Sequence, residues 1–215
     1  MTPQVSPEHY FGVYDSKRRF CSYWTQIEYV LKLHEHPVLE IGIGNRTVTD
    51  YLEKVRVPLV AGDFDPALRP DVVLRLPELP FRDSSFGLVM ACQVLEHLPF
   101  DQFVPALQAL LRVARQYVVV SLPHAGQAWP YAIHLPGIGT FQWLLEVSWF
   151  RRPKKPLTEG QHFWELDLKG YERKAVERLM ESTGATIVGR KRVWDFPYHQ
   201  FYVLRKSSRS SIGQP

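Results

Sequence analysis

Cysteine is scarce in this sequence: Cys21 and Cys92 are the only two among 215 residues, with no CxxC pair and no Cys/His ladder. A zinc ribbon and a disulfide-stapled scaffold are thereby excluded. Long apolar runs are missing as well, and no stretch approaches the roughly 18 apolar residues that a membrane span needs. The first twenty residues lack the apolar centre of a secretion signal, so the expected location is cytoplasmic. Charge of one sign is also in short supply, with 26 basic against 22 acidic residues and a net charge of +4. That balance falls short of the one-sided excess typical of nucleic-acid binders.

What is present is ordinary globular material, 45% hydrophobic and 22% charged, which excludes a disordered chain. The expected organisation is a single domain over 1–206 and a flexible tail over 207–215, with no internal repeat. Apolar residues at helical spacing (Tyr23, Trp24, Ile27, Val30, Leu31) predict a helix over 20–34. Short apolar runs predict strands over 38–41, 58–62, 72–74, 86–91 and 117–121. Helices are expected over 47–56 and 103–114, with only a stub between Pro66 and Pro70. A helix over 171–183 closed by Gly184 and two strands, 186–194 and 199–204, complete the pattern. Alternating strands and helices followed by two adjacent strands predict an α/β fold. The expected architecture is a doubly wound, Rossmann-like, seven-stranded sheet with an antiparallel last strand.

Ligands of such sheets sit beyond the C-terminal strand ends, so the loop after the first strand is the place to look. Gly42 and Gly44 allow a sharp turn and close approach of backbone to a ligand. The following helix N-terminus near Asn45 offers unpaired N–H groups. The dinucleotide pattern G-x-G-x-x-G is broken, because Thr47 holds its last place. An acid, Glu40, precedes the first glycine and suits a ligand ammonium, and Asp63 at the end of the second strand suits a pair of ribose hydroxyls.

At these residues the sequence resembles the class I S-adenosylmethionine-dependent methyltransferases of the type 11 group. The matching segments are Val38-Leu39-Glu40-Ile41-Gly42-Ile43-Gly44, Gly62-Asp63-Phe64-Asp65, Leu79-Pro80-Phe81 with Ser85-Phe86, and Val94-Leu95-Glu96-His97-Leu98. The resemblance implies S-adenosylmethionine as cofactor. It places Gly42, Ile43, Gly44 and Asn45 against its methionine part, Asp63 and Phe64 at its ribose, and Leu76 beside its adenine. Cys92, Gln93 and Val94 would lie near its methionyl end, while Glu40 organises the loop. Three positions depart from the family pattern: Arg46 stands for a third glycine, Arg75 for an adenine-recognising Asp, and Gly87 for the Asp after Phe86.

Candidates for the chemistry are Glu96, His97 and His124, because His is the side chain best matched to proton transfer at neutral pH. Each has a plainer alternative. Glu96-His97 would cap and orient the next helix, and His124 would make a loop hydrogen bond. Gln93-x-x-Glu96-His97 resembles the E-x-x-E-H segment of metal-dependent methyltransferases acting on ubiquinone precursors and on small-RNA 3′ ends, and Gln161-His162-Phe163-Trp164-Glu165 is similar to the distal His segment of the latter. A divalent ion on Glu96, His97 and His162 would bind a hydroxyl pair. Gln93 replaces the first acid, so no metal ligand is assigned on sequence grounds.

Residues 124–168 fall where such enzymes build a substrate cap, expected here to be helical. They carry eight aromatics (Trp129, Tyr131, Phe141, Trp143, Trp149, Phe150, Phe163, Trp164) beside the basic run Arg151, Arg152, Lys154 and Lys155. Basic residues also close the chain, since nothing acidic follows Asp195 while Arg205, Lys206 and Arg209 do. That combination suits a small, lipid-linked or glycan-type acceptor, and peripheral contact of 124–168 with an acidic membrane. RNA is the rival partner, with bases on tryptophans and phosphates on the basic run. A protein that binds the cofactor without turnover is the alternative outside catalysis. The aromatics would otherwise form the cap's own core. Tyr10, Tyr14 and Tyr23 either close over the cofactor or pack.

Overall fold

The computed structural model describes residues 15–146 and 161–207. Tyr10, Tyr14, Trp149, Phe150, the basic run Arg151–Lys155, Arg209 and all of the expected tail except Ser207 lie outside the described residues. Nine strands and four α-helices are described: α1 Lys17–Leu33, β1 Val38–Ile41, α2 Thr47–Lys54, β2 Leu59–Asp63, β3 Val72–Val73, β4 Phe86–Cys92, α3 Phe103–Val113, β5 Ala114–Pro123, β6 Ala128–Leu135, β7 Gly139–Glu146, α4 Arg173–Ser182, β8 Ala185–Arg192 and β9 His199–Lys206. Seven strands form one sheet in the order β3-β2-β1-β4-β5-β9-β8. The first five pair in parallel, and β9 runs antiparallel between β5 and β8.

The central strands β1 and β4 and the apolar part of β5 are covered on both faces, so they read as continuous apolar runs. Period-2 alternation sends Leu39, Ile41, Val89, Val118 and Val120 to the layer packed by α3 and α4. It sends Val38, Leu88, Met90 and Val119 to the layer packed by α1 and α2. Helix ends follow local chemistry. Ser16 accepts from the Arg19 N–H at the start of α1, and Gly184, with φ of +85°, follows the end of α4. Gly87 has a packing reason, since a Cβ there would lie 2.6 Å from the backbone nitrogen of His36.

The expected helical cap is corrected by the structure. Residues 128–146 form a two-stranded antiparallel ribbon, β6-β7, pairing Trp129 with Leu145, Tyr131 with Trp143 and Ile133 with Phe141. The cause lies in the chain itself. Apolar residues recur at every second position, which a helix cannot gather on one face. Pro136-Gly137 supplies the turn: the Ile138 N–H donates to the Leu135 carbonyl at 3.1 Å, and Gly137 takes a φ of +78°.

The ribbon's odd-numbered face presents Trp129, Tyr131, Ile133, Leu135, Phe141, Trp143 and Leu145, and every one of these is at least 41% exposed. Its base is tied to the sheet. The Trp194 indole N–H donates to the carbonyls of Tyr131 and Trp143, each at 3.2 Å, and Arg173 and Arg192 both pair with Glu146.

Candidate functional site

Three loops meet at the C-terminal ends of β1, β2 and β4, which are neighbours in the sheet. After β1 the chain turns through Gly42 at φ +80° and Gly44 at φ +52° into α2. A Cβ on Gly42 would collide with Cγ2 of Val94, in the loop after β4. Gly42 therefore brings the first and third loops into contact, a closeness that any side chain would block. Positive φ at this position favours glycine for a second, independent reason.

Asp63 closes the second loop onto the first. One carboxylate oxygen accepts from the Ile43 N–H at 2.9 Å and the other from the Asp65 N–H at 3.0 Å. A carboxylate has about four acceptor positions, so capacity for hydroxyl donors is left over. Burial raises the Asp63 pKa, and these backbone N–H bonds oppose it. Glu40, on β1, is buried and accepts from the Thr49 hydroxyl of α2 at 2.7 Å. Burial pushes its carboxyl up to about 7, with the Thr49 bond working against the rise. Glu40 thus fastens strand to helix behind the glycine turn.

Asn45 does more than sit at a helix start. Its Oδ1 accepts from the Thr47 N–H, and its side-chain amide donates to both oxygens of Asp15, which also accepts from the Tyr23 hydroxyl. The N-terminal side of α1 is tied to the glycine turn in this way, a link with no local sequence signal. Phe64 and Leu76 are half-buried, and Leu76 packs against the main core. At the end of β4, burial raises the Cys92 thiol pKa. Gln93 adopts a left-handed φ of +57° and turns its amide to the Ser121 hydroxyl at 3.1 Å, while Val94 faces Gly42.

Beyond Val94, a single 3-10 turn, Leu95–His97, presents the candidate catalytic pair. Glu96 is fully buried, with both carboxylate oxygens lacking a hydrogen-bond partner. Burial first, and the nearby Glu165 carboxylate next, push its pKa up to about 8. The His97 ring donates through Nδ1 to the Gln161 carbonyl at 2.8 Å, and burial lowers its pKa to about 4. Its ring meets that of His162 edge-on, with centroids 4.9 Å apart. Glu96, His97 and His162 thus come together, although the last is far along the chain.

His124 is placed differently. Its Nδ1 accepts from the Gly126 N–H at 3.1 Å, and Nε2 faces Asp167 at 3.5 Å. Burial and the nearby Arg192 lower its pKa to about 4, which leaves the ring neutral near pH 7. In this tautomer the Nδ1 lone pair is already engaged, and the ring lies between the loop after β5 and the segment at Asp167.

The order β3-β2-β1-β4-β5-β9-β8, with β9 reversed and a glycine turn after β1, is the fold of the class I S-adenosylmethionine-dependent methyltransferases. Residues 39–120 match the family model described as a methyltransferase domain. No curated protein sequence matches the chain closely enough to count as a relative. Among solved structures, the chain is similar to 1,6-didemethyltoxoflavin-N1-methyltransferase of Burkholderia thailandensis. There the identity is 15%, coverage is 97% of this chain and 93% of that one, and the TM-score is 0.57. It is also similar to magnesium protoporphyrin IX methyltransferase of Synechocystis PCC 6803, with 11% identity, 93% and 89% coverage and a TM-score of 0.59. An S-adenosylmethionine-dependent methyltransferase from Clostridium acetobutylicum ATCC 824 matches at 11% identity, 94% and 96% coverage and a TM-score of 0.59.

Proposed function

We propose that the protein transfers a methyl group from S-adenosylmethionine to an oxygen of a small or lipid- or sugar-like acceptor in the cytoplasm. The observation that carries the donor reading is the convergence of the Gly42 turn, the Asp63 carboxylate and the 92–94 loop. When bound, the cofactor supplies an activated methyl on sulfur for in-line displacement. The chain's own task is then mainly orientation, which can contribute roughly 7–11 kcal/mol. Gly42 lets the donor's methionyl part approach the backbone, and Asp63 keeps acceptor capacity for the ribose hydroxyls. Glu40 holds the turn rigid from behind, and Glu96 and His97 stand where an acceptor would enter, one turn beyond β4.

Calorimetry with S-adenosylhomocysteine tests this reading directly. The wild-type protein is expected to bind it and to ignore NAD, and Asp63→Ala is expected to lose the binding. Equal affinity of Asp63→Ala and wild type would sink the assignment of the ribose site.

The similar structures are named for acceptors as different as 1,6-didemethyltoxoflavin and magnesium protoporphyrin IX. The acceptor class must therefore be argued from this chain's own surfaces. Among the described residues no helix is long and apolar enough to cross a membrane. The ribbon β6-β7 instead presents one apolar, Trp- and Tyr-bearing face, and its sequence continues into the basic run Arg151–Lys155. Amphipathic rings of this kind favour the boundary between lipid and water, and basic residues favour anionic headgroups.

We expect the protein to sediment with vesicles containing phosphatidylglycerol, and Trp129→Ser/Trp143→Ser to sediment about tenfold less, the two rings being among the largest apolar contributions on the face. Sedimentation unchanged by the double substitution would overturn the ribbon's part in it. Salt-steep binding of RNA in place of vesicles would favour the nucleic-acid acceptor.

A further inference from the structure

We propose that Asp15 is the counter-charge for the ammonium of the donor's methionyl part, delivered to the glycine turn from outside the sheet. The inference rests on the methyl-transfer reading, which brings that part of the donor to Gly42. It names a binding residue that none of the loops after β1, β2 and β4 contains.

The need comes from the ligand. S-adenosylmethionine and S-adenosylhomocysteine both carry an ammonium, and an ammonium withdrawn from water is costly unless a charged acceptor meets it. The described acids of β1, β2 and α2 around the turn are engaged elsewhere. Glu40 lies buried behind the turn with Oε2 on the Thr49 hydroxyl, and burial pushes its carboxyl up to about 7, a poor setting for a fixed negative charge. Asp63 gives one oxygen to the Ile43 N–H and the other to the Asp65 N–H, and its remaining capacity suits ribose hydroxyls. Asp65 accepts from the Ala67 N–H in the link after β2. Asp50 and Glu53 both pair with the Arg46 guanidinium.

Asp15 stands apart from these. It lies 30 residues before Asn45, yet its carboxylate meets the glycine turn itself. The Asn45 amide nitrogen is 2.9 Å from Oδ1 and 3.0 Å from Oδ2, and the Tyr23 hydroxyl donates to Oδ1 at 3.2 Å. One donor belongs to the turn and the other to α1, so the carboxylate is oriented from two sides before a ligand arrives. Neither donor is cationic, and neither therefore neutralises its charge. These contacts use at most three of a carboxylate's roughly four acceptor positions. Asp15 is only half-buried, which leaves a side for an incoming ammonium. The Asn45 tie thus has a functional reading as well as a structural one: it fixes a negative charge beside the backbone that Gly42 opens to the donor.

The test uses the full chain and two ligands that share adenosine and a thioether but differ in the amino-acid part. S-adenosylhomocysteine has the ammonium, whereas 5′-methylthioadenosine has none. Asp15→Asn should weaken the first by at least about tenfold in calorimetry, the scale of a hydrogen bond to a charged group. Binding of the second, followed by saturation-transfer NMR because it is weaker, should be the same in wild type and variant. Asp15→Glu, which keeps the charge, should lose less than Asp15→Asn. Circular dichroism checks that both variants fold. Affinity of Asp15→Asn for S-adenosylhomocysteine within threefold of wild type overturns the assignment, and so does an equal loss for the two ligands, which would mark a purely structural role. Asp63→Ala separates this inference from the reading beneath it. If Asp63→Ala loses both ligands while Asp15→Asn keeps both, the donor site stands and only the role of Asp15 falls. If the wild type binds neither ligand, both fall.

Discussion

Gly42→Val is expected to eliminate donor binding. The variant places a β-branched residue at φ +80° and drives its Cβ into the side chain of Val94. Backbone strain at such a position costs about 1–3 kcal/mol, and the collision adds to it by pushing apart the loops after β1 and β4. Calorimetry should show affinity for S-adenosylhomocysteine reduced by more than about a hundredfold, equivalent to about 2.7 kcal/mol. The far-ultraviolet circular dichroism should stay that of the wild type, because Gly42 lies outside the strand and its site faces solvent. Binding within threefold of wild type would show that the cradle does not seat the donor.

Trp164→Ala is the substitution with the largest expected effect on stability. Trp164 is fully buried, with Phe100 and Phe103 edge-on to it at 5.0 and 5.1 Å, and its indole N–H donates to the Leu98 carbonyl at 3.2 Å. Truncating a buried tryptophan typically costs about 3–5 kcal/mol. Urea unfolding should register a loss in that range, and Trp164→Phe, which keeps a ring but drops the hydrogen bond, should lose less. A loss below about 1 kcal/mol would mean that the segment around Trp164 does not anchor to α3 as described. The same ring sits two residues beyond His162, so its removal also loosens the histidine's footing.

The parallel strands are legible because each is a short apolar run, most of them bounded by Gly, Pro or Asp, and the glycine turn because two glycines and two acids fall at fixed places around β1 and β2. β5 runs longer than its apolar stretch suggested. Arg115 and Gln116 hide its start, yet the strand begins at Ala114, where the ladder to Phe86 fixes it. The ribbon was readable in principle from its alternation and its Pro-Gly turn. Tryptophan content alone does not distinguish a helical cap from a ribbon, whereas the period does.

The polar contacts of the site were the least accessible. Tyr198 and Glu165 are 33 residues apart, Asn45 and Asp15 are 30 apart, and His97 meets Gln161 across 64. No periodicity reports such pairs, because the sheet order and the loops decide them. For His124 the sequence left a ligand-facing role and a loop hydrogen bond both open, because side-chain direction within a loop is set by partners such as Gly126 and Asp167.

The insertion of β9 between β5 and β8 has a consequence for biosynthesis. Ribosomal synthesis delivers β5 long before the strand that closes its edge, since Tyr117 pairs with Arg205 and Pro123 with His199. Until residues 199–206 emerge, β5 shows a row of unpaired N–H and C=O groups, the template on which foreign strands add. The nascent chain therefore passes through a stage at which it holds five of the sheet's seven strands, with chaperones and aggregation competing for the open edge. The final closure is a long-range event that can only follow the appearance of the C-terminal hairpin.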